Sequence, residues 1–118
     1  MFGKYQVHTH SGKQNSKKDP TEYAKTVEKA GAGEILLNSI DRDGTWSGFE
    51  IDLTKSITNA VNIPIIAVGG AGNLDHISEA VQKGGSSAVA LGSMAVYQGK
   101  NLGVLINFPA RDRLENII

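Results

Sequence analysis

Short apolar runs alternate with longer amphipathic stretches along this chain of 118 residues. The apolar runs that begin near Ile35, Ile65 and Ala88 consist almost entirely of aliphatic residues. Runs of this length and composition are typical of strands that are buried on both faces of a parallel sheet. Bulky and polar residues alternate over residues 4–10, which predicts a further strand, and a polar loop follows over residues 11–18.

The amphipathic stretches predict helices between these strands. Asp19 and Pro20 mark the start of the first helix, because an aspartate caps free N–H groups and proline suits the first helical position. The predicted helices cover residues 20–30, 51–61 and 73–83, with shorter helices at 94–97 and from about residue 110. Strands and helices that alternate through short connections indicate an α/β domain with a parallel sheet, in a barrel or in a doubly wound fold.

Composition excludes several classes of partner. The chain has 12 basic and 12 acidic residues and a formal net charge of zero, so no electrostatic attraction to nucleic acid or to an anionic membrane is expected. It has no cysteine, which excludes disulfides and thiolate metal sites and fits a reducing compartment such as the cytoplasm. No apolar stretch is long enough for a membrane-spanning helix.

Glycine is abundant, with 14 residues, and two groups of glycines follow predicted strands directly. Gly69 and Gly70 come after the second apolar run, and Gly92 and Ser93 come after the third. Ligands of parallel α/β proteins bind at the carboxyl ends of the strands, where exposed backbone N–H groups hold anions. These glycines therefore predict a phosphate site, and tight turns alone are the alternative interpretation.

Asp41 and Asp43 follow the first apolar run. They either cap the loop or pair with Arg42, or they supply a carboxylate that orients a hydroxyl or moves a proton at a pocket. Both interpretations stay open. His8 and His10 would share one face of the predicted first strand, but no third ligand accompanies them, so no metal site is predicted.

Several of these segments resemble the HisF family, the cyclase subunit of imidazole glycerol phosphate synthase. Residues 31–45, with the run Ser-Ile-Asp-Arg-Asp-Gly-Thr, resemble its sixth βα unit. Residues 64–72 resemble its seventh strand and loop, residues 88–93 its eighth, and residues 7–13 the excursion after its fifth strand. The resemblance implies that residues 1–118 form one partial domain of a (β/α)8 TIM barrel, comprising βα units five to eight without the fifth strand.

The HisF family takes ammonia from a glutaminase partner, HisH. With it the family converts a phosphorylated ribulosyl carboxamide to imidazole glycerol phosphate, a lyase reaction of histidine biosynthesis that needs no cofactor. Its two catalytic aspartates follow the first and fifth strands, and neither has a counterpart here. Whether this chain is an enzyme therefore stays open. We expect a C-terminal fragment that is inactive alone and that pairs with a separately encoded N-terminal half-barrel.

The resemblance transfers the ligand-binding half of the site to this chain. It gives Asp43 a supporting catalytic role and implies that a set of strand-end residues binds the phosphorylated substrate. That set is Thr9, Ser11, Asp43, Gly44, Gly69, Gly70, Gly92 and Ser93.

Two alternatives stay open beside the cyclase. The apolar run at residues 103–109, together with Asn38 and Trp46, resembles HisF paralogues that help to install an acetamidino group on surface sugars. The missing aspartates instead favour a non-catalytic half-barrel that binds phosphate.

Overall fold

The structure, a computed structural model, describes residues 5–118. These residues form a short hairpin, a three-stranded parallel sheet and a set of helices that follow the strands. In chain order the elements are β1 (His8–Thr9), β2 (Gln14–Asn15), α1 (Pro20–Lys29), β3 (Ile35–Asn38), α2 (Ile51–Thr58), β4 (Ile65–Val68), α3 (Leu74–Gln82), β5 (Ala88–Ala90), α4 (Ser93–Val96) and α5 (Arg111–Glu115).

The parallel sheet has the order β3-β4-β5, so strands that follow one another along the chain are also neighbours in space. Ile35 pairs with Ile65 across the first strand pair, and Ile66 pairs with Ala88 across the second. One helix, α2 or α3, lies between each strand and the next. The three apolar runs therefore form the strands that the sequence predicts, and the predicted α/β class is confirmed.

The helices α1 and α3 begin at the capping residues from which the sequence predicts their starts. The Asp19 side chain accepts a hydrogen bond from the Glu22 backbone N–H at 3.0 Å, and Pro20 is the first residue of α1. The Asn73 side chain caps α3 in the same way, accepting from the His76 N–H at 2.9 Å. These bonds satisfy N–H groups that a helix leaves free in its first turn.

The second helix is shorter than the predicted range of residues 51–61. α2 ends at Thr58, and the Ala60 N–H bonds to the Ile57 carbonyl at 2.9 Å. This tighter hydrogen bond closes the helix before Pro64, which cannot donate to a continued helical ladder.

The helices cover one face of the sheet. Ile65 and Ala67 of β4 are 1% and 2% exposed, and they pack in two clusters with buried residues of the helices and of the segments that adjoin them. The first cluster contains Ala24, Leu53, Ile57, Val61 and Ile65, and the second contains Phe49, Ala67, Ala71, Ile77 and Ala80. Side chains at alternate positions point the other way, and Leu36 on that face is 62% exposed. The prediction that these strands are covered on both faces is therefore wrong for the part of the chain that the structure describes.

The prediction of a strand over residues 4–10 is also wrong for the described residues of that range. Only His8–Thr9 within residues 5–10 forms a strand, and it pairs antiparallel with Gln14–Asn15, inside the predicted polar loop. His10, Ser11 and Gly12 have φ of 55°, 56° and 82°, so the backbone already reverses at His10, the last residue of the predicted strand. Residue 4 lies outside the described residues.

The tail after α4 folds back on it. Tyr97 and Val104 form an antiparallel bridge, and the Leu105 N–H bonds to the Val96 carbonyl at 2.9 Å. Leu114 and Ile117 then pack against the second cluster, so the short predicted helix near residue 110 docks on the helix side of the sheet. Within residues 5–118, none of the helices combines the length and apolar character needed to cross a bilayer.

Candidate functional site

The loops that follow the three parallel strands begin side by side. Asn38, Val68 and Ala90, the last strand residues, are paired in register across the sheet. The hairpin reaches the same edge, because a Cβ at Gly12 would lie 3.3 Å from Ile40 Cδ1, just beyond β3. The structure therefore brings the three strand-end loops and the hairpin to one edge of the sheet.

Residues 39–50, here called the aspartate loop, are held by Arg42. Its Nε donates to Glu50 Oε2 at 3.1 Å, and its Nη1 donates to the Ser47 carbonyl at 3.2 Å. Glu50 also accepts from the Tyr5 hydroxyl at 2.9 Å. Arg42 thus pairs with Glu50 and with neither neighbouring aspartate, which overturns the interpretation that pairs it with Asp41 or Asp43. Both aspartates are exposed at the edge of the sheet.

Residues 69–72, here called the glycine turn, pack tightly on the aspartate loop. Gly69 and Gly70 are buried with φ of 97° and 106°, a conformation that glycine adopts without strain. A Cβ at Gly70 would lie 2.1 Å from the Gly48 carbonyl oxygen, and one at Gly72 would lie 2.5 Å from that of Trp46. The Gly48 N–H donates to the Gly70 carbonyl at 2.7 Å. These glycines therefore permit contact between two loops, a role that the sequence-based prediction of a phosphate site did not include.

His76 joins the two loops from the first turn of α3. Its Nδ1 lies 3.1 Å from the Gly72 backbone N–H and accepts its hydrogen bond. The same imidazole ring also lies next to Gly48 of the aspartate loop, since a Cβ at Gly48 would be 3.4 Å from it. Nearby, the Lys83 ammonium hydrogen-bonds to Glu79 at 2.9 Å and lowers the pKa of the Glu79 carboxyl.

The end of β5 is more open. Gly92 is exposed, and a Cβ there would meet nothing within 4 Å. Ser93 is half-buried at the start of α4, and the Ala95 N–H bonds back to the Gly92 carbonyl at 3.0 Å. This strand end leaves the backbone accessible next to a hydroxyl.

The hairpin residues are exposed. Thr9 Oγ1 lies 3.1 Å from His10 Nδ1, and the His8 Nδ1 lies 3.0 Å from the Gln6 carbonyl. The strand ends at Thr9, so His8 and His10 do not share one strand face as predicted. Within residues 5–118, no group of three or more His, Asp or Glu side chains is arranged to hold a metal ion.

A groove of about 410 Å³ lies beside this edge. Its lining includes Trp46, Gly72, Asn73 and Asp75. Tail residues, among them Asn107 and Arg113, form a further part of the lining. None of the predicted substrate-binding residues lines it.

Two residues that organise the site, Glu50 and His76, are not predicted from the sequence. Glu50 is separated from Arg42 by eight positions in an irregular loop, and no local sequence pattern predicts that the two side chains pair. His76 has a readable signal, because it stands three residues after the Asn73 cap. That is the position from which a side chain reaches back to the free N–H groups at a helix start.

Comparison with known proteins identifies relatives of most of this chain. A family model described as "Histidine biosynthesis protein" matches residues 2–101. A Leptospira borgpetersenii protein provisionally named imidazole glycerol phosphate synthase subunit HisF is 48% identical over 106 residues, covering 90% of this chain and 42% of the relative. A Pseudomonas aeruginosa protein, provisionally named subunit hisF2 of the same synthase, is 41% identical over 115 residues, covering 98% of this chain and 46% of the relative. The chain therefore spans less than half the length of these curated relatives.

Solved structures share the arrangement of elements. A chain of the Amycolatopsis orientalis BexX/CysO complex superposes with a TM-score of 0.52 at 20% identity, over 64% of this chain and 30% of that one. A mutant of FabK from Thermotoga maritima gives a TM-score of 0.51 at 25% identity, over 66% of this chain and 29% of that one. These similarities concern the fold.

Proposed function

The chain belongs to the histidine biosynthesis protein family, and from this premise we propose that it is the substrate-binding part of a HisF-type cyclase. In this proposal it acts in the cytoplasm with a glutaminase that supplies ammonia. Together they convert a phosphorylated ribulosyl carboxamide to imidazole glycerol phosphate. The relatives named as HisF subunits support the general function.

One observation carries the proposal. The three parallel strands end at a common edge, and the loops there combine glycine backbone with exposed carboxylates. In parallel α/β proteins this edge is where substrates bind, and backbone N–H groups are suited to phosphate. We therefore propose that residues 1–118 form one partial domain, comprising about βα units five to eight of a (β/α)8 barrel without the fifth strand.

The proposed roles of these residues are those that the resemblance to the HisF family implies. Gly69 and Gly70 offer backbone groups to one phosphate, and Gly92 and Ser93 offer an open backbone and a hydroxyl to the same region. Thr9 and Ser11 of the hairpin contribute hydroxyl groups to the proposed substrate site. Asp43, next to Gly44, supports the chemistry as an exposed carboxylate that orients a hydroxyl or moves a proton.

The uncovered face of the sheet supports a barrel completed by further strands. Leu36 is 62% exposed there, although parallel sheets are covered on both faces in the proteins that contain them. The matched relatives are more than twice as long as the aligned segment. We propose that an N-terminal half-barrel, in the same or a separate polypeptide, covers this face and supplies the two catalytic aspartates.

A reconstitution experiment tests the function. The chain is assayed with ammonium and the ribulosyl substrate, alone and mixed with an N-terminal fragment of the Leptospira borgpetersenii relative that extends through its fifth strand. We expect turnover only in the mixture, because the chain itself lacks the family's principal aspartates. In the mixture, Asp43→Asn should lower the rate about tenfold or more if the carboxylate assists proton transfer, and Asp112→Asn on α5 should not.

The other outcomes are equally informative. Turnover by the chain alone would refute the requirement for the missing aspartates. A mixture that binds the substrate without converting it would favour the non-catalytic phosphate-binding half-barrel.

A second candidate function is acetamidino modification of surface sugars. It is favoured by residues 102–118, which lie outside the segment matched by the family model and add a wall to the 410 Å³ groove beside the site. Growth of a histidine auxotroph lacking its own cyclase separates the candidates. Growth restored by co-expression of the two parts supports the cyclase, and lack of growth although both parts are expressed and folded opposes it and leaves the sugar pathway as the better candidate.

A further inference from the structure

The glycine turn is attached to the aspartate loop by two adjacent contacts. The Gly48 N–H donates to the Gly70 carbonyl at 2.7 Å. The imidazole ring of His76, in the first turn of α3, packs against Gly48. His76 Nδ1 also accepts from the Gly72 N–H at 3.1 Å. One imidazole therefore contacts both the loop that carries Asp43 and the turn that carries Gly69 and Gly70.

The hydrogen bond specifies the chemical state of the ring. An imidazole nitrogen that accepts a hydrogen bond carries no proton, so neutral His76 has its proton on Nε2. The first turn of α3 fixes the position of the residue, because the Asn73 side chain accepts a hydrogen bond from the His76 backbone N–H at 2.9 Å.

We propose that His76 is a positioning residue that fixes the glycine turn against the aspartate loop and so presets the backbone of the phosphate site. This inference rests on the proposed function only for the identity of the ligand as an anion. His76 does not touch the ligand. It acts through the Gly72 N–H and the contact with Gly48, which together determine where the Gly69 and Gly70 backbone groups lie.

The test compares His76→Leu with His76→Asn in the full chain. Leucine fills similar space without an acceptor, whereas the asparagine side-chain oxygen can take the place of Nδ1. Amide hydrogen exchange reports the turn directly. We expect exchange at Gly72 to accelerate about fivefold or more in His76→Leu, the order expected for one lost hydrogen bond, and to stay near wild type in His76→Asn. The Glu22 amide, capped by Asp19 in α1, is the internal control and should not change.

Sulfate is the ligand probe, because its charge is constant over the useful pH range. We expect the sulfate dissociation constant of His76→Leu to rise about fivefold, with His76→Asn restoring most of the affinity. Ser56→Ala, on the exposed side of α2, leaves the net charge unchanged and is the control, which should bind as wild type does.

The outcomes separate this inference from the proposed function. If wild type does not bind sulfate while Gly72 loses protection in His76→Leu, the phosphate function fails and the positioning role stands. If Gly72 stays protected in His76→Leu, or if wild type binds sulfate and His76→Leu binds it equally well, the positioning role is overturned. Should His76→Leu fail to fold, the nitrogen shifts of wild-type His76 decide. A proton on Nε2 supports the inference, and a proton on Nδ1 overturns it.

Discussion

At the scale of single residues, the glycine turn shows that one residue type serves two purposes. The sequence suggested that Gly69 and Gly70 leave space for a ligand. In the structure both have positive φ and lie against the backbone of the preceding loop, with Ser39 O only 2.8 Å from a Cβ placed at Gly69. Close packing of two backbones excludes any side chain, whether or not a ligand binds beside them.

Gly70→Ala tests this packing. The added Cβ meets the Gly48 carbonyl oxygen, so we expect a loss of about 3 kcal/mol in the free energy of unfolding, from overpacking and a left-handed backbone. Gly44→Ala is the matched control, since Gly44 has φ of 75° but open space around it, and should cost about 1 kcal/mol. Equal losses in denaturant unfolding would show that backbone conformation alone, and no contact between the loops, makes Gly70 necessary.

At the scale of elements, capping links α3 to the site. Asn73 stands between the glycine turn and the helix, and its side chain satisfies the His76 N–H. The same residue lines the groove beside the site, so helix start and loop geometry depend on one another. α1 begins with the equivalent Asp19 cap, far from the glycine turn in sequence.

Asn73→Ala should therefore destabilise the chain by about 1 kcal/mol, the usual cost of removing a helix cap. Asn73→Ser, which keeps an oxygen acceptor, should recover most of the loss. Thermal or denaturant unfolding measures both values. If the serine variant is as unstable as the alanine variant, the cap is not the contribution that Asn73 makes to α3.

At the scale of the whole molecule, the two faces of the sheet differ in burial. Side chains of β4 that point to the helices are almost fully buried, whereas Leu36 of β3 on the opposite face is largely exposed. An apolar face of a parallel sheet that remains open is expected to attract a covering element. This is the physical basis for the proposed second half of the barrel.

Leu36→Glu separates folding from association. Because Leu36 is exposed in the chain, its replacement should change the free energy of unfolding by no more than about 0.5 kcal/mol. Affinity for the N-terminal half of the Leptospira borgpetersenii relative should fall about tenfold or more, because the complex would bury an unpaired charge. Lys55→Glu, exposed on α2, is the control and should leave association unchanged. Undiminished affinity in Leu36→Glu, measured by calorimetry, would place the contact elsewhere.

Sequence alone determined the α/β class, the three parallel strands, and the starts of α1 and α3. Each of these depends on local chemistry, such as aliphatic runs and the capping oxygens of Asp19 and Asn73. It also identified the family, through the segments around residues 31–45, 64–72 and 88–93.

Tertiary structure decided what the local pattern does not encode. The Arg42–Glu50 pair, the His76 bond to Gly72 and the open face around Leu36 all depend on which segments meet in space. Alternation over residues 5–10 indicated a strand, yet the backbone turns at His10 and pairs with Gln14–Asn15 instead. A pattern of side chains records which residues tend to be buried, whereas the folded chain alone determines the neighbours that bury them.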